Sequence, residues 1–505
     1  MKISRLVITD SFLLFVMGSV ISGVFVIYNQ AHSSAYTTWG RTRAAGSGTQ
    51  SPVQANGTAA TTSTPLANSA NSTTTVSTAP ATGAGTTPEA QLATANAAYN
   101  GRNYTLALSL YQPLANNGND EAQSMVGWMY MAGQGVSVDY DKAYSWIRKS
   151  ADQGNMYALN NLGTIYHAGN GKPKDLKQAY ELFMKAAEKG LADAQNNVGY
   201  CYLNGDYVPQ NDAKAAELFR KAADQNIPDA QYHLGLLYAE GKGVKKDLEE
   251  AELWYRKAAD AGNWEAQFEM GNLFDQGSGV EKSLRKAADW YQKAADQGHM
   301  TAQCYLGDYY REGSDEIPQD FAKALEWYQK SAASGDSAAQ YWIGFMHASG
   351  QGVPLDYGEA RLWYLKAADQ NNAYAQAALG NLYYNGNGVQ QNFEKAASWY
   401  LKAGDNLVDN EACYDLAMLY LEGKGGVKLD AAAAAKWFRK AADNDDNIAQ
   451  YQLGLMLEAG KGVPKNTTEA RSWFEKSAKS GNEDAAKHLK GLAGKNEAQA
   501  SKKSL

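Results

Sequence analysis

Over residues 229–241, DAQYHLGLLYAEG, the apolar side chains Ala230, Leu234, Leu237 and Tyr238 recur at i, i+4, i+7 and i+8, one stripe of an α-helix. Gly235 sits within that stretch, and Gly241 follows it where glycine commonly ends a helix. A second stripe, Ala251, Trp254, Tyr255, Ala258 and Ala259, runs through DLEEAELWYRKAADAG. Asp247 is placed to cap this helix, Glu250 three residues on completes a capping-box pattern, and Gly262 closes it. The two stripes predict a helical hairpin, helix A then helix B. One hairpin cannot bury both stripes alone, so it needs a neighbouring copy.

The copy is written into the chain. AQYHLGLLYAEGKGV at 230–244 returns as AQFEMGNLFDQGSGV at 266–280, 36 residues later. The glycine of helix A recurs at Gly127, Gly163, Gly199, Gly235, Gly271, Gly307, Gly344, Gly380 and Gly454, with Ala417 in the series and steps of 36 or 37 residues. So steady a period means a repeat array. Helix B carries a matching aromatic at Trp146, Trp254, Trp290, Trp327, Trp363, Trp399, Trp437 and Trp473, with Leu182 and Leu218 as departures. Fixed beside alanine at helical spacing, this stripe reads as core packing. About ten units span 121–482, with a degenerate capping hairpin at 88–120 and a lone closing helix at 483–493 before a polar tail at 494–505. Such caps shield the ends of a stack.

The pattern changes near the amino terminus. Residues 12–28, FLLFVMGSVISGVFVIY, form an uncharged run of 17 residues behind Lys2 and Arg5. A helix there spans ~26 Å, close to the ~30 Å hydrocarbon core. The run exceeds a usual signal-peptide core, and small residues at Ser33 and Ala35 lie some way beyond it, which favours a retained anchor over cleavage. With no positive charge between Arg5 and Arg41, residues 1–11 are expected in the cytoplasm and the body outside it. Residues 33–87 are dominated by Ser, Thr, Ala, Gly and Pro and are expected to be a disordered tether.

Composition narrows the function classes. The chain has 505 residues, 44% of them hydrophobic, and a net charge of −7, which argues against general nucleic-acid binding. Cys201, Cys304 and Cys413 are too far apart for zinc-finger spacing and read as three separate thiols. The six histidines show no metal-ligand spacing, and no nucleophile elbow is written anywhere. The G-x-G-V loops lack the preceding strand and the G-K-[ST] ending of a phosphate loop, so they read as turns between helices A and B. No cofactor is expected. Asp275, Asp308 and Arg311 are the one charged group that an enzyme reading, on cell-wall substrates for instance, has to work with.

The pattern A-x-x-x-L-G-x-x-Y-x-x-G-x-G-V…A-x-x-W-Y-x-K-A-A-x-x-G resembles the Sel1-like repeat family, kin of the tetratricopeptide repeats, over about residues 121–482. The resemblance implies an all-α solenoid with helix A on the inner, concave wall, and adaptor roles in assembling envelope complexes or in signalling. Partner-binding residues are then expected where the copies differ on helix A: Trp128, Tyr200, Tyr232, Phe268, Asn272, Asp308, Tyr341, Phe345, Asn381 and Tyr384. The expected partner is a protein or an extended peptide, held by a scaffold anchored in an inner membrane with a periplasmic body. A released form that engages a host protein is the alternative.

If residues 12–28 are retained, carbonate washing leaves the full-length chain in the membrane pellet. Recovery of a soluble chain beginning near Tyr36 would overturn the anchor.

Overall fold

The computed structural model describes residues 87–406 and 409–492. The expected anchor, nearly all of the tether and the polar tail lie outside the described residues. Among the described residues there are twenty-three α-helices and no strand, and no helix is long and apolar enough to cross a membrane. The chain divides between Lys246 and Asp247 into two compact units. The first runs from the helix Pro88–Asn100 to the helix Pro228–Glu240 and contains four A/B hairpins followed by one A helix. The second opens with the B helix Leu248–Asp260, continues through six hairpins to Thr467–Lys479, and is followed by a helical stretch at 483–492.

Local chemistry sets the helix boundaries. Asp247 caps its B helix, with Oδ1 accepting from the backbone N–H groups of Glu249 and Glu250 at 3.1 Å each. The predicted capping box forms by half: the Glu250 carboxylate instead accepts from Trp254 Nε1 at 3.2 Å. Gly241 ends its A helix with φ 73°, a left-handed conformation that a side chain would strain.

The mid-helix glycines lie where helix A crosses helix B of the same hairpin. A Cβ on Gly163 would stand 2.7 Å from the Phe183 ring, and one on Gly199 2.8 Å from the Phe219 ring. In the second unit the residue pressed onto the glycine is Tyr291, Tyr328, Tyr364, Tyr400 or Phe474, each buried. The predicted Trp/Tyr stripe therefore divides its work. The tyrosine or phenylalanine fills the crossing, while the tryptophan before it supports a lysine ammonium, as Trp290 does for Lys293 at 3.5 Å from the ring centroid.

Stacking between hairpins uses two further devices. The glutamine of the A-Q pair donates Nε2 to a carbonyl in the last turn of the preceding B helix, as in Gln123 to Ala115, Gln231 to Ala223, Gln267 to Ala259 and Gln450 to Ala442, at 3.0–3.2 Å. Each of those buried carbonyls also accepts a backbone N–H from the turn after its helix, as Ala259 does from Gly262 at 3.0 Å, so the amide adds a second bond that ties one hairpin to the next. The second glycine of each G-x-G loop docks on the preceding repeat. Gly243, at φ 70°, lies against the backbone of Asp212 and Ala213, and Gly462 lies against Ala431 and Ala432. The expected turn geometry accounts for both glycines, which have positive φ, and the docking adds a second reason for the second one.

The crossing supplies a direct test. Replacing Gly271 by leucine would stabilise an isolated helix by roughly 1 kcal/mol, but it sets a side chain into the Tyr291 ring. Overpacking of that kind costs ~1–3 kcal/mol or more. The urea midpoint of Gly271→Leu should fall, and an unchanged or higher midpoint would mean that the crossing is not tightly packed.

Candidate functional site

Successive A helices touch one another in both units: Asp120–Ala132 against Met156–Ala168, and Met300–Glu312 against Ser337–Ser349. Among the described residues no pair of successive B helices approaches as closely. At these steps the stack is closer on its A side, the side expected to form the inner wall. All ten of the expected partner-binding residues lie on A helices.

Their environments divide them into three groups. Tyr232 is 6% exposed and fills space beside His233. Asn272, Asp308 and Asn381 are half-buried and serve the fold: each accepts the hydroxyl of the tyrosine that fills its own crossing. These bonds run from Tyr291 to Asn272 at 2.8 Å, Tyr328 to Asp308 at 2.6 Å, and Tyr400 to Asn381 at 2.6 Å. A phenylalanine needs no acceptor, and where one fills the crossing the same A-helix position holds Thr164, beside Phe183, Tyr200, beside Phe219, or Leu455, beside Phe474; Phe345 stands there beside Tyr364, an exception to the pairing. Trp128, Tyr200, Phe268, Tyr341, Phe345 and Tyr384 form the remaining group, half-buried rings with part of their surface in solvent. Phe268 stacks on His299 with centroids 4.4 Å apart, and Phe345 packs edge-on against Trp342 at 5.5 Å.

The charged group singled out in the sequence does not stand free on the wall. Arg311 is 5% exposed, donates Nε to the Tyr328 hydroxyl at 3.1 Å, pairs with Glu312 at 2.6 Å and lies over the Trp342 ring at 3.9 Å. Burial raises the Asp308 carboxyl to about 7, against the opposing pull of Arg311 and the Tyr328 hydrogen bond. Burial likewise pushes the Asp415 carboxyl up to about 6 and raises Glu411. The three cysteines are separate and buried, and burial pushes the Cys201 thiol up to about 12. Among the described residues no group of histidines, cysteines and carboxylates is arranged to hold a metal ion.

Sequence reasoning left one hollow unforeseen. It opens in the first unit, with a volume of about 120 Å³, among Asn96, Tyr99, Glu121, Ser124, Trp128, Tyr157 and Asn161, together with four neighbouring side chains. Of the expected residues only Trp128 lines it, and its Nε1 donates to the Tyr99 hydroxyl at 3.0 Å. The signal available in the sequence was the run of amides beside the anchor glycines, Asn160 and Asn161, then Asn196 and Asn197.

The hairpin, its glycine crossing and its loop are those of a known repeat. Eleven segments match the Sel1 repeat, the first at residues 88–119 and the last at 447–482. The chain belongs to the Sel1 repeat family. The hairpin expected to be a degenerate cap is thus itself a Sel1 repeat, which makes eleven where about ten were expected. Among solved structures, a protective antigen present in uropathogenic Escherichia coli strains, displaying an SLR fold, is 32% identical with a TM-score of 0.69, over 81% of this chain and 88% of that one. A Sel1 repeat protein from Oxalobacter formigenes is 32% identical over 69% of this chain and 90% of that one, with a TM-score of 0.48. No curated protein matches the chain.

In this Sel1 repeat array the raised Asp308 carboxyl makes stability depend on pH. Its folded pKa, about 7, lies above the ordinary value of about 3.9, so the folded state binds the proton first. Its contribution is full below about pH 4 and is lost as pH rises to about 7. Asp415 and Glu411 act with the same sign. Asp308→Asn keeps an acceptor for Tyr328, and its urea midpoint should fall less steeply than that of the wild type between pH 5 and 8. Identical slopes would show that Asp308 does not titrate in this range.

Proposed function

We propose that this Sel1 repeat protein is a membrane-tethered scaffold that captures a protein partner, as an extended segment, along the inner wall of its A helices. One observation carries the reading. The side chains that repeat from copy to copy are consumed by packing: glycine by a ring, glutamine by a carbonyl, tryptophan by lysine. The A-helix positions that vary keep half-exposed aromatic rings, at Phe268, Tyr341, Phe345 and Tyr384 among others. Aromatic rings supply much of the energy in binding hot spots, and a row of A helices within one unit that carries several such rings suits a peptide better than a compact ligand.

The tether follows from the amino-terminal sequence. The apolar run at 12–28 supports an inner-membrane anchor, and the Ser/Thr/Ala/Gly-rich segment at 33–87 supports a spacer that holds the repeats away from the bilayer on the periplasmic side. In that position the protein would assemble an envelope complex or relay a signal. The Escherichia coli relative is described as a protective antigen, and a repeat body carried outside the cytoplasm suits that description.

Photo-crosslinking in intact cells tests where the partner sits. A photoreactive residue at Phe345, on an A helix, should give a discrete adduct. One at Leu401, 46% exposed on a B helix, should not. An adduct from Leu401 with none from Phe345 would move capture off the inner wall.

A further inference from the structure

We infer that the hollow in the first unit is a binding site for one arginine side chain of the captured partner, a reading that rests on the A-helix wall being the capture surface. The hollow is built by three successive A helices, Pro88–Asn100, Asp120–Ala132 and Met156–Ala168, together with Tyr111 and Asn155. Its volume of about 120 Å³ far exceeds the roughly 10–15 Å³ that admits a single water, and it suits the head of one long side chain.

Three features of the lining specify the occupant. Glu121 is its only charged group. One of its oxygens, Oε1, accepts from Asn96 Nδ2 at 3.1 Å, and no lysine or arginine pairs with it among the described residues. Two largely buried polar side chains, Ser124 at 5% and Asn161 at 6% exposure, add a hydroxyl and an amide to the lining. A hydroxyl and an amide beside a carboxylate give the cavity several oxygen acceptors for a polar ligand. Finally, Tyr99, Trp128 and Tyr157 present aromatic surface to the hollow.

A guanidinium answers all three. Its planar fork donates to a carboxylate and to hydroxyl or amide oxygens together, and its face stacks on aromatic rings. The surroundings favour a cation as well. The five A helices of the first unit carry Glu89, Asp120, Glu121, Asp193, Asp229 and Glu240, and neither lysine nor arginine. Tyr111 and Tyr157 feel this field: both hydroxyls are held above their ordinary pKa, by burial first and then by nearby carboxylates that include Glu121.

Fluorescence polarisation on the full-length protein in detergent decides the matter. The probes are three labelled nine-residue Gly/Ser peptides with arginine, its neutral isostere citrulline, or glutamate at the centre. The arginine peptide should bind at least about tenfold more tightly than the other two, as charge-assisted hydrogen bonds imply. Glu121→Gln should abolish that preference while circular dichroism stays unchanged. Asn161→Asp, which adds a second carboxylate to the hollow, should tighten arginine binding severalfold, a gain that misfolding cannot produce. Equal binding of arginine and citrulline peptides, or a preference that survives Glu121→Gln, overturns the site. So does failure of the arginine peptide to bind at millimolar concentration. An adduct from Phe345 alongside any of these results would leave the capture wall standing and remove the arginine site alone.

Discussion

The crossing of helices A and B at a glycine is the contact on which the rest of this molecule depends. With no side chain at Gly271 or Gly307, the rings of Tyr291 and Tyr328 lie directly on the A-helix backbone. That close approach makes each hairpin thin and flat-sided, so that the next one can stack against it. A bulkier residue at the crossing would splay the two helices and pull the glutamine away from its carbonyl on the neighbouring repeat. Close packing inside the hairpin and hydrogen bonding between hairpins are therefore one system, in which small errors propagate to neighbours.

The same crossing limits where binding residues can arise. Where a tyrosine is pressed onto the glycine, the following A-helix position accepts from its hydroxyl at Asn272, Asp308 and Asn381, though not at Phe345, which follows the Tyr364 crossing. Variation at those positions answers to the partner helix as well as to any ligand. Tyr200 and Phe345 stand at equivalent positions without that duty, and they are better candidates for contact with a partner.

Much of this was legible in the sequence, because the fold is set by local periodicities that recur. The helical stripes, the glycine series and the Asp247 cap each rest on a few neighbouring residues, and repetition made the signal unmistakable. Asn272 and Asp308 were harder to read, because their roles come from a tyrosine about twenty residues away, and a list of variable positions does not show such pairing. The hollow around Glu121 was harder still. It is assembled from three A helices that begin 32 and 36 residues apart, and no local pattern marks Ser124 and Asn161 as lining a common space.

The docking of each G-x-G loop gives the array a direction. Gly243 rests on the start of a B helix that belongs to the previous repeat, and Gly462 does the same further along. A hairpin is thus finished by its successor. During synthesis, then, the newest hairpin to leave the ribosome still lacks its covering loop, and the completed part of the molecule trails the growing end by one repeat. An interruption of translation would leave a chain whose folded portion is intact and whose last hairpin alone is open, a single frayed unit for the cell's proteases to recognise.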